Sequence, residues 1–137
     1  MSMRTTLTTR VGLGGLLVLL AACDGGKKIV DPDVVVPGPL NLRLTTPNGD
    51  DGAILFEVAG EINSIARAGF RVVASAQGTS PRRLIVNGNL AAGTVAQILV
   101  PDVNSVGSYS VTIREVAARG TYALRDLQGY RIEVVKP

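Results

Sequence analysis

The chain holds one cysteine, Cys23, and no histidine. Without imidazole, Ser–His and Cys–His nucleophilic pairs and every histidine-containing zinc set are excluded. Lys27, Lys28 and Lys136 all lie in tails, which disfavours a buried Ser–Lys pair. Gly12, Gly14 and Gly15 follow no strand, so they make no phosphate-binding loop. A carboxylate pair for glycoside hydrolysis is arithmetically available, but so small a chain has little room for a substrate cleft as well. The expected role is non-enzymatic, without a catalytic metal or other cofactor. Oxygen ligands for calcium stand closest together at Asn48, Asp50 and Asp51. Calcium takes such hard ligands, although this spacing departs from the EF-hand pattern. The same residue types also build turns, through side-chain bonds to their own backbone.

Aromatic and basic residues complete the chemical inventory. Phe56, Phe70, Tyr109 and Tyr130 fall in phase with apolar neighbours and read as core, leaving Tyr122 as the ring expected to be exposed, where a sugar could stack. Arg67, Arg71, Arg82, Arg83, Arg114, Arg119, Arg125 and Arg131 are scattered over several of the expected strands and loops. They either form a solvated sheet face, where arginine also guards edges against aggregation, or converge to meet an anionic glycan or partner.

The elements that position these residues are short strands. Leu40, Leu42 and Leu44 alternate with Asn41, Arg43 and Thr45, the period of two of a half-buried strand. Residues 47–52 (PNGDDG) are a cluster of turn formers, and 53–58 (AILFEV) read as a central strand. Residues 61–69 fit one helical turn through Ile62, Ile65 and Ala66, too short to stand alone. Residues 70–76 read as a strand with Phe70, Val72 and Ala74 on one face. After Leu84-Ile85-Val86, Asn87-Gly88 is the strongest hairpin signal, because a type I′ turn needs positive φ at both central residues. Residues 94–100 form a strand stopped by Pro101-Asp102. Residues 108–116 alternate most clearly, with Tyr109, Val111 and Ile113 opposite Ser110, Thr112 and Arg114. Residues 130–135 close the chain with Tyr130, Ile132 and Val134 on one face. Seven to nine strands without an amphipathic helix predict an all-β fold, an antiparallel two-sheet sandwich of Ig-like or jelly-roll type. A small closed barrel is the alternative.

Ahead of these strands, Arg4 and Arg10 precede an apolar run at residues 11–20 (VGLGGLLVLL). A bilayer-spanning helix takes about 20 residues, so the run reads as a cleaved secretory signal. Leu20-Ala21-Ala22-Cys23 resembles the lipobox of bacterial lipoproteins, Leu–small–small–Cys. The resemblance implies cleavage between Ala22 and Cys23, a diacylglyceryl group on the Cys23 thiol, and often acylation of the new amino terminus. A single acyl chain binds membranes only marginally, and the diacylglyceryl group supplies two. The implied location is the cell envelope, anchored by lipid and facing the periplasm or the cell surface. Asp24 favours inner-membrane retention in enteric bacteria, a rule that varies, so either membrane fits. An ordinary signal peptide ending near a cysteine is the competing reading.

Three regions follow: a signal at residues 1–22, a lipidated amino terminus and Pro/Gly linker at 23–39, and a sandwich at 40–137. Residues 24–39 would reach roughly 50 Å as an extended tether, unless Val34-Val35-Val36 adds an edge strand. Removing the signal leaves 115 residues with 12 Lys+Arg against 11 Asp+Glu. That is one domain, stabilised by packing without an internal disulfide. Its near-neutral balance makes no electrostatic case for nucleic acid.

Residues 52–58 (GAILFEV), 87–95 (NGNLAAGTV) and 108–116 resemble the layout of bacterial cohesin-type jelly-roll sandwiches. The likeness implies a binding role on that fold. No residues of the cohesin binding face can be matched, so no ligand is implied. The function expected is therefore a lipid-anchored module that binds an envelope protein or acts structurally, with a glycan- or small-ligand-binding module as the alternative.

Overall fold

The computed structural model describes residues 34–137. The expected signal, the expected cleavage between Ala22 and Cys23, and the expected lipidation of Cys23 all fall outside the described residues.

Eight strands build two four-stranded antiparallel sheets packed face to face. They are β1 (Gly38–Thr45), β2 (Asp51–Ala59), β3 (Ser64–Arg67), β4 (Arg71–Ala74), β5 (Arg82–Leu90), β6 (Gly93–Val100), β7 (Ser110–Ala118) and β8 (Arg131–Val135). One sheet runs β3-β6-β1-β8 and the other β4-β5-β2-β7. The fold is the all-β sandwich that the alternation predicts, and its two sheets remain separate rather than closing into a barrel. Only β4 and β5 are consecutive strands of one sheet; every other connection crosses the core.

The core forms because each strand turns one face inward. Leu40, Leu42 and Leu44 of β1 meet Ile54, Phe56 and Val58 of β2, with Leu84 and Val86 of β5 and Ile98 and Val100 of β6 around them. All are at most 1 % exposed. Bulges adjust the phase where strict alternation would misplace a side chain. In β6 the partner of β1 jumps from Ala96 to Thr94, so Val95 is extra and both Val95 and Ala96 are buried. In β7 the partner of β2 jumps from Glu115 to Ile113. Arg114 is therefore extra, and inward facing passes from Val111 and Ile113 to Val116 and Ala118.

Three expectations are corrected by tertiary pairing. Asn87-Gly88 is no hairpin turn: both residues lie inside β5, which is paired on both sides, to β4 and β2. Between Asn87 and Leu90 β5 advances three residues while β2 advances two, from Ala53 to Asp51. Gly88 supplies this bulge with φ +148°, and the Phe70 ring lies against it. The helical turn around Ile62–Ala66 is absent; Ser64–Arg67 instead pair with Leu99–Ala96 of β6 as the edge strand β3. Four residues cannot nucleate a helix alone, whereas β6 offers them a ready partner. The tether boundary also moves. Strand β1 starts at Gly38, and Val34–Val36 run against the 101–105 loop without becoming a strand.

Candidate functional site

The outer face of the β4-β5-β2-β7 sheet carries an apolar strip. Cross-strand register places Val73, Ile85 and Leu55 in one row, ending at Glu115. Their neighbours Val72, Leu84, Val86, Ile54 and Phe56 point the other way into the core, so period-two alternation forces the strip outward. Val73 is 49 % and Ile85 40 % exposed. Beside the strip lies an ion cluster centred on Glu57. Arg83 donates to its Oε1 from Nε at 3.3 Å and Nη2 at 2.9 Å. Arg114 donates to its Oε2 from Nε at 3.0 Å and Nη2 at 2.7 Å. The Arg114 and Arg83 hydrogen bonds hold the Glu57 carboxyl below its ordinary value. The bulge enables this clamp: it adds Arg114 to β7 between the partners of Leu55 and Phe56, from where the guanidinium reaches diagonally to Glu57, whose own register partner is Thr112. Two guanidinium groups on one carboxylate leave this cluster with one net positive charge, while Glu115 closes the β7 end of the row with a negative one.

At one end of the sandwich the 46–50 and 119–130 loops meet. Asp51, fully buried, accepts from Thr46 Oγ1 at 2.6 Å and from the Tyr130 hydroxyl at 2.8 Å. Asn48 donates its side-chain amide to the Tyr130 oxygen at 2.6 Å. Arg125 reaches Asp50 at 2.5 Å and Asp51 at 3.5 Å. The three calcium candidates Asn48, Asp50 and Asp51 are thus brought close, but both Asp51 oxygens and Asp50 Oδ1 accept from protein donors, Asn48 turns its amide N–H towards Tyr130, and the cation beside the two aspartates is the Arg125 guanidinium. Among the described residues no three His, Cys, Asp or Glu side chains group as a metal site. The cluster fastens the long β7–β8 loop, helped by the Arg119 N–H donating to the Asp50 carbonyl at 2.7 Å.

That loop presents Tyr122, 72 % exposed and at φ +57°. Its ring borders a groove of about 450 Å³ with Gly52, Asn87, Gly88 and Arg119. Gly52 is required there, because a Cβ would lie 2.8 Å from the Arg119 Cα. Asn89 accepts a hydrogen bond from the Arg119 guanidinium. Tyr122 is the exposed ring expected from the sequence, and Phe56, Phe70, Tyr109 and Tyr130 all pack in or against the core.

The opposite end receives the chain from residue 34. The Val103 N–H donates to the Val36 carbonyl at 2.8 Å, and the Val36 N–H to Asp102 Oδ1 at 3.2 Å. Asp102 also accepts from the Asn104 N–H at 3.0 Å and Ser105 Oγ at 2.8 Å. These bonds, the Asn104 one foremost, lower its carboxyl below the usual range. Strands of eight residues separate this end from the Tyr122 groove, a distance of roughly 25 Å at about 3.3 Å per residue.

The sequence hides the Glu57 clamp because Arg83 and Arg114 lie 26 and 57 positions away. An acid inside an otherwise apolar central strand was the available signal. The chain matches no protein-family model, no curated protein and no solved structure.

Proposed function

We propose that this chain is a lipid-anchored envelope module that binds another envelope protein through the outer face of the β4-β5-β2-β7 sheet. The observation that carries the binding reading is the Val73–Ile85–Leu55 strip beside the arginine-clamped Glu57. Contiguous exposed apolar residues with a polar rim mark interaction surfaces. The arginine-rich Glu57 cluster on one side of the strip and Glu115 at its β7 end suit a partner whose own apolar patch carries charges of the opposite sign at the matching places. Leu20-Ala21-Ala22-Cys23 supports the anchor, with lipid on Cys23 and signal cleavage after Ala22.

Two measurements test this. Mass spectrometry of the cell-derived protein should find a diacylglyceryl-modified Cys23 at the amino terminus; an unacylated terminus overturns the anchor. A photo-crosslinking residue at Ile85 in intact cells should give one discrete adduct that the same residue at Gln97, on the other sheet's outer face, does not give. Equal patterns from both positions overturn the binding face. The exposed Tyr122 ring beside Asn87 and Arg119 favours a second reading, a glycan site in the Tyr122 groove. A glycan array reporting binding that Tyr122→Ala abolishes would establish it in place of the protein partner.

A further inference from the structure

Two arginines face the space between the sheets from opposite sides. In β5 the inward phase runs Arg82, Leu84, Val86, and in β3 it runs Ile65, Arg67. Both positions would carry apolar residues if the sandwich were closed by packing alone. Arg82 donates from Nε to the Ser75 carbonyl at 3.3 Å, yet its Nη1 is buried with no hydrogen-bond partner. Neither arginine forms an ion pair among the described residues. They line one cleft of about 360 Å³ between the edge strands β3 and β4, together with Ser64, Ile65, Val72 and Gln77. No acid borders it. Gln77 is held there by donating to the Asn63 carbonyl at 2.8 Å.

A buried cationic donor without an acceptor costs free energy, and native structures rarely leave one so. Here a second guanidinium adds like charge; Glu61 lines the adjoining cavity, which shares Arg82 with this cleft, and pairs with neither arginine. An oxyanion is the group such a pair of guanidinium forks binds, and binds bidentately. Ile65 and Val72, both packed against the core, form an apolar wall beside the charged one. We infer that the cleft between β3 and β4 binds a small organic oxyanion, a carboxylate or phosphate group carrying a short apolar body, with Arg67 and Arg82 on the headgroup and Ile65 and Val72 on the body. This inference uses neither the strip at Ile85 nor the lipid reading of Cys23, so it stands or falls independently of both.

The test uses the full chain in mild detergent, titrated calorimetrically with hexanoate and hexyl phosphate, and with acetate and inorganic phosphate at equal ionic strength. At least one hexyl ligand should bind at least tenfold more tightly than its bare headgroup and raise the Tm, as any ligand selective for the native state does. Arg67→Gln and Arg82→Gln should each weaken that binding at least tenfold, whereas Arg119→Gln, at the Tyr122 groove, should leave it unchanged. Arg67 is exposed, so its variant keeps the test valid should Arg82→Gln fold poorly. Absence of binding up to about 10 mM, beyond even a millimolar Kd, overturns the inference. So does a hexyl ligand no better than its bare ion, or binding that Arg67→Gln leaves intact.

Discussion

Replacing Asp51 with alanine should loosen the Tyr130 end of the 119–130 loop and cost about 3 kcal/mol. The carboxylate is fully buried and accepts two short hydroxyl bonds, at 2.6 Å from Thr46 and 2.8 Å from Tyr130. Hydrogen bonds to a charged group contribute about 1.5–3 kcal/mol each. Part of that sum survives the substitution. Thr46 Oγ1 keeps the Asn48 carbonyl as an acceptor at 3.0 Å, and Arg125 keeps Asp50. Tyr130 fares worse, because Asn48 only donates to it and its own proton loses its acceptor. Asp51→Asn preserves the shape and one acceptor oxygen, so it should cost about 1 kcal/mol. At about 4 °C per kcal/mol for a domain near 100 residues, the alanine variant should melt about 12 °C lower. Thermal melts followed by far-UV circular dichroism, with urea unfolding as a second measure, read the difference. An alanine cost below about 1 kcal/mol, or asparagine as damaging as alanine, would refute the reasoning. So would a calcium-dependent rise in the wild-type Tm, because Arg125 already supplies the positive charge at these aspartates.

Three further outcomes follow from other parts of the sandwich. Glu57, with its folded pKa lowered below 4.5 by Arg114 and Arg83, stabilises the fold fully above that value and loses this contribution as pH falls through the folded value. Urea midpoints measured downward from pH 7 should therefore fall in acid, and Glu57→Gln should flatten that limb; an unchanged limb counts against the clamp. Tyr122→Gly should raise stability by about 0.5 kcal/mol, because relief of the positive φ outweighs the glycine entropy cost and the exposed ring packs little. A lower melting point would show that the ring packs in the fold. Gly88→Ala should destabilise by about 2 kcal/mol, since φ is +148° and its Cβ would stand 3.0 Å from the Phe70 ring; a neutral effect would mean that the bulge adapts.

Alternation made most strands legible. Leu40, Leu42 and Leu44, the run through Phe56, and Ile132 all face the core as their spacing requires, because period-two burial is a property of each strand alone. Turn chemistry was less dependable. Asn87-Gly88 has the composition of a hairpin, yet the same φ freedom serves a bulge once β4 and β2 bind β5 on both sides. The short segment around Ile65 had no strong local preference, and the edge of β6 decided its state. Tyr122 was legible as an exposed ring because no apolar pattern included it.

What the residues determined unaided is chemical and periodic: no imidazole catalysis, a lipobox-like Leu20–Cys23, an all-strand body and which side chains of most strands turn inward. Tertiary structure decided every pairing between distant positions. It gave Asp51 to Tyr130 and Arg125 in place of a free cation, set Arg83 and Arg114 on Glu57, and turned Arg67 and Arg82 towards one cleft from opposite sheets. The physical reason is that burial phase is written locally, along one strand, while charge partnership depends on which strands cross the core to become neighbours.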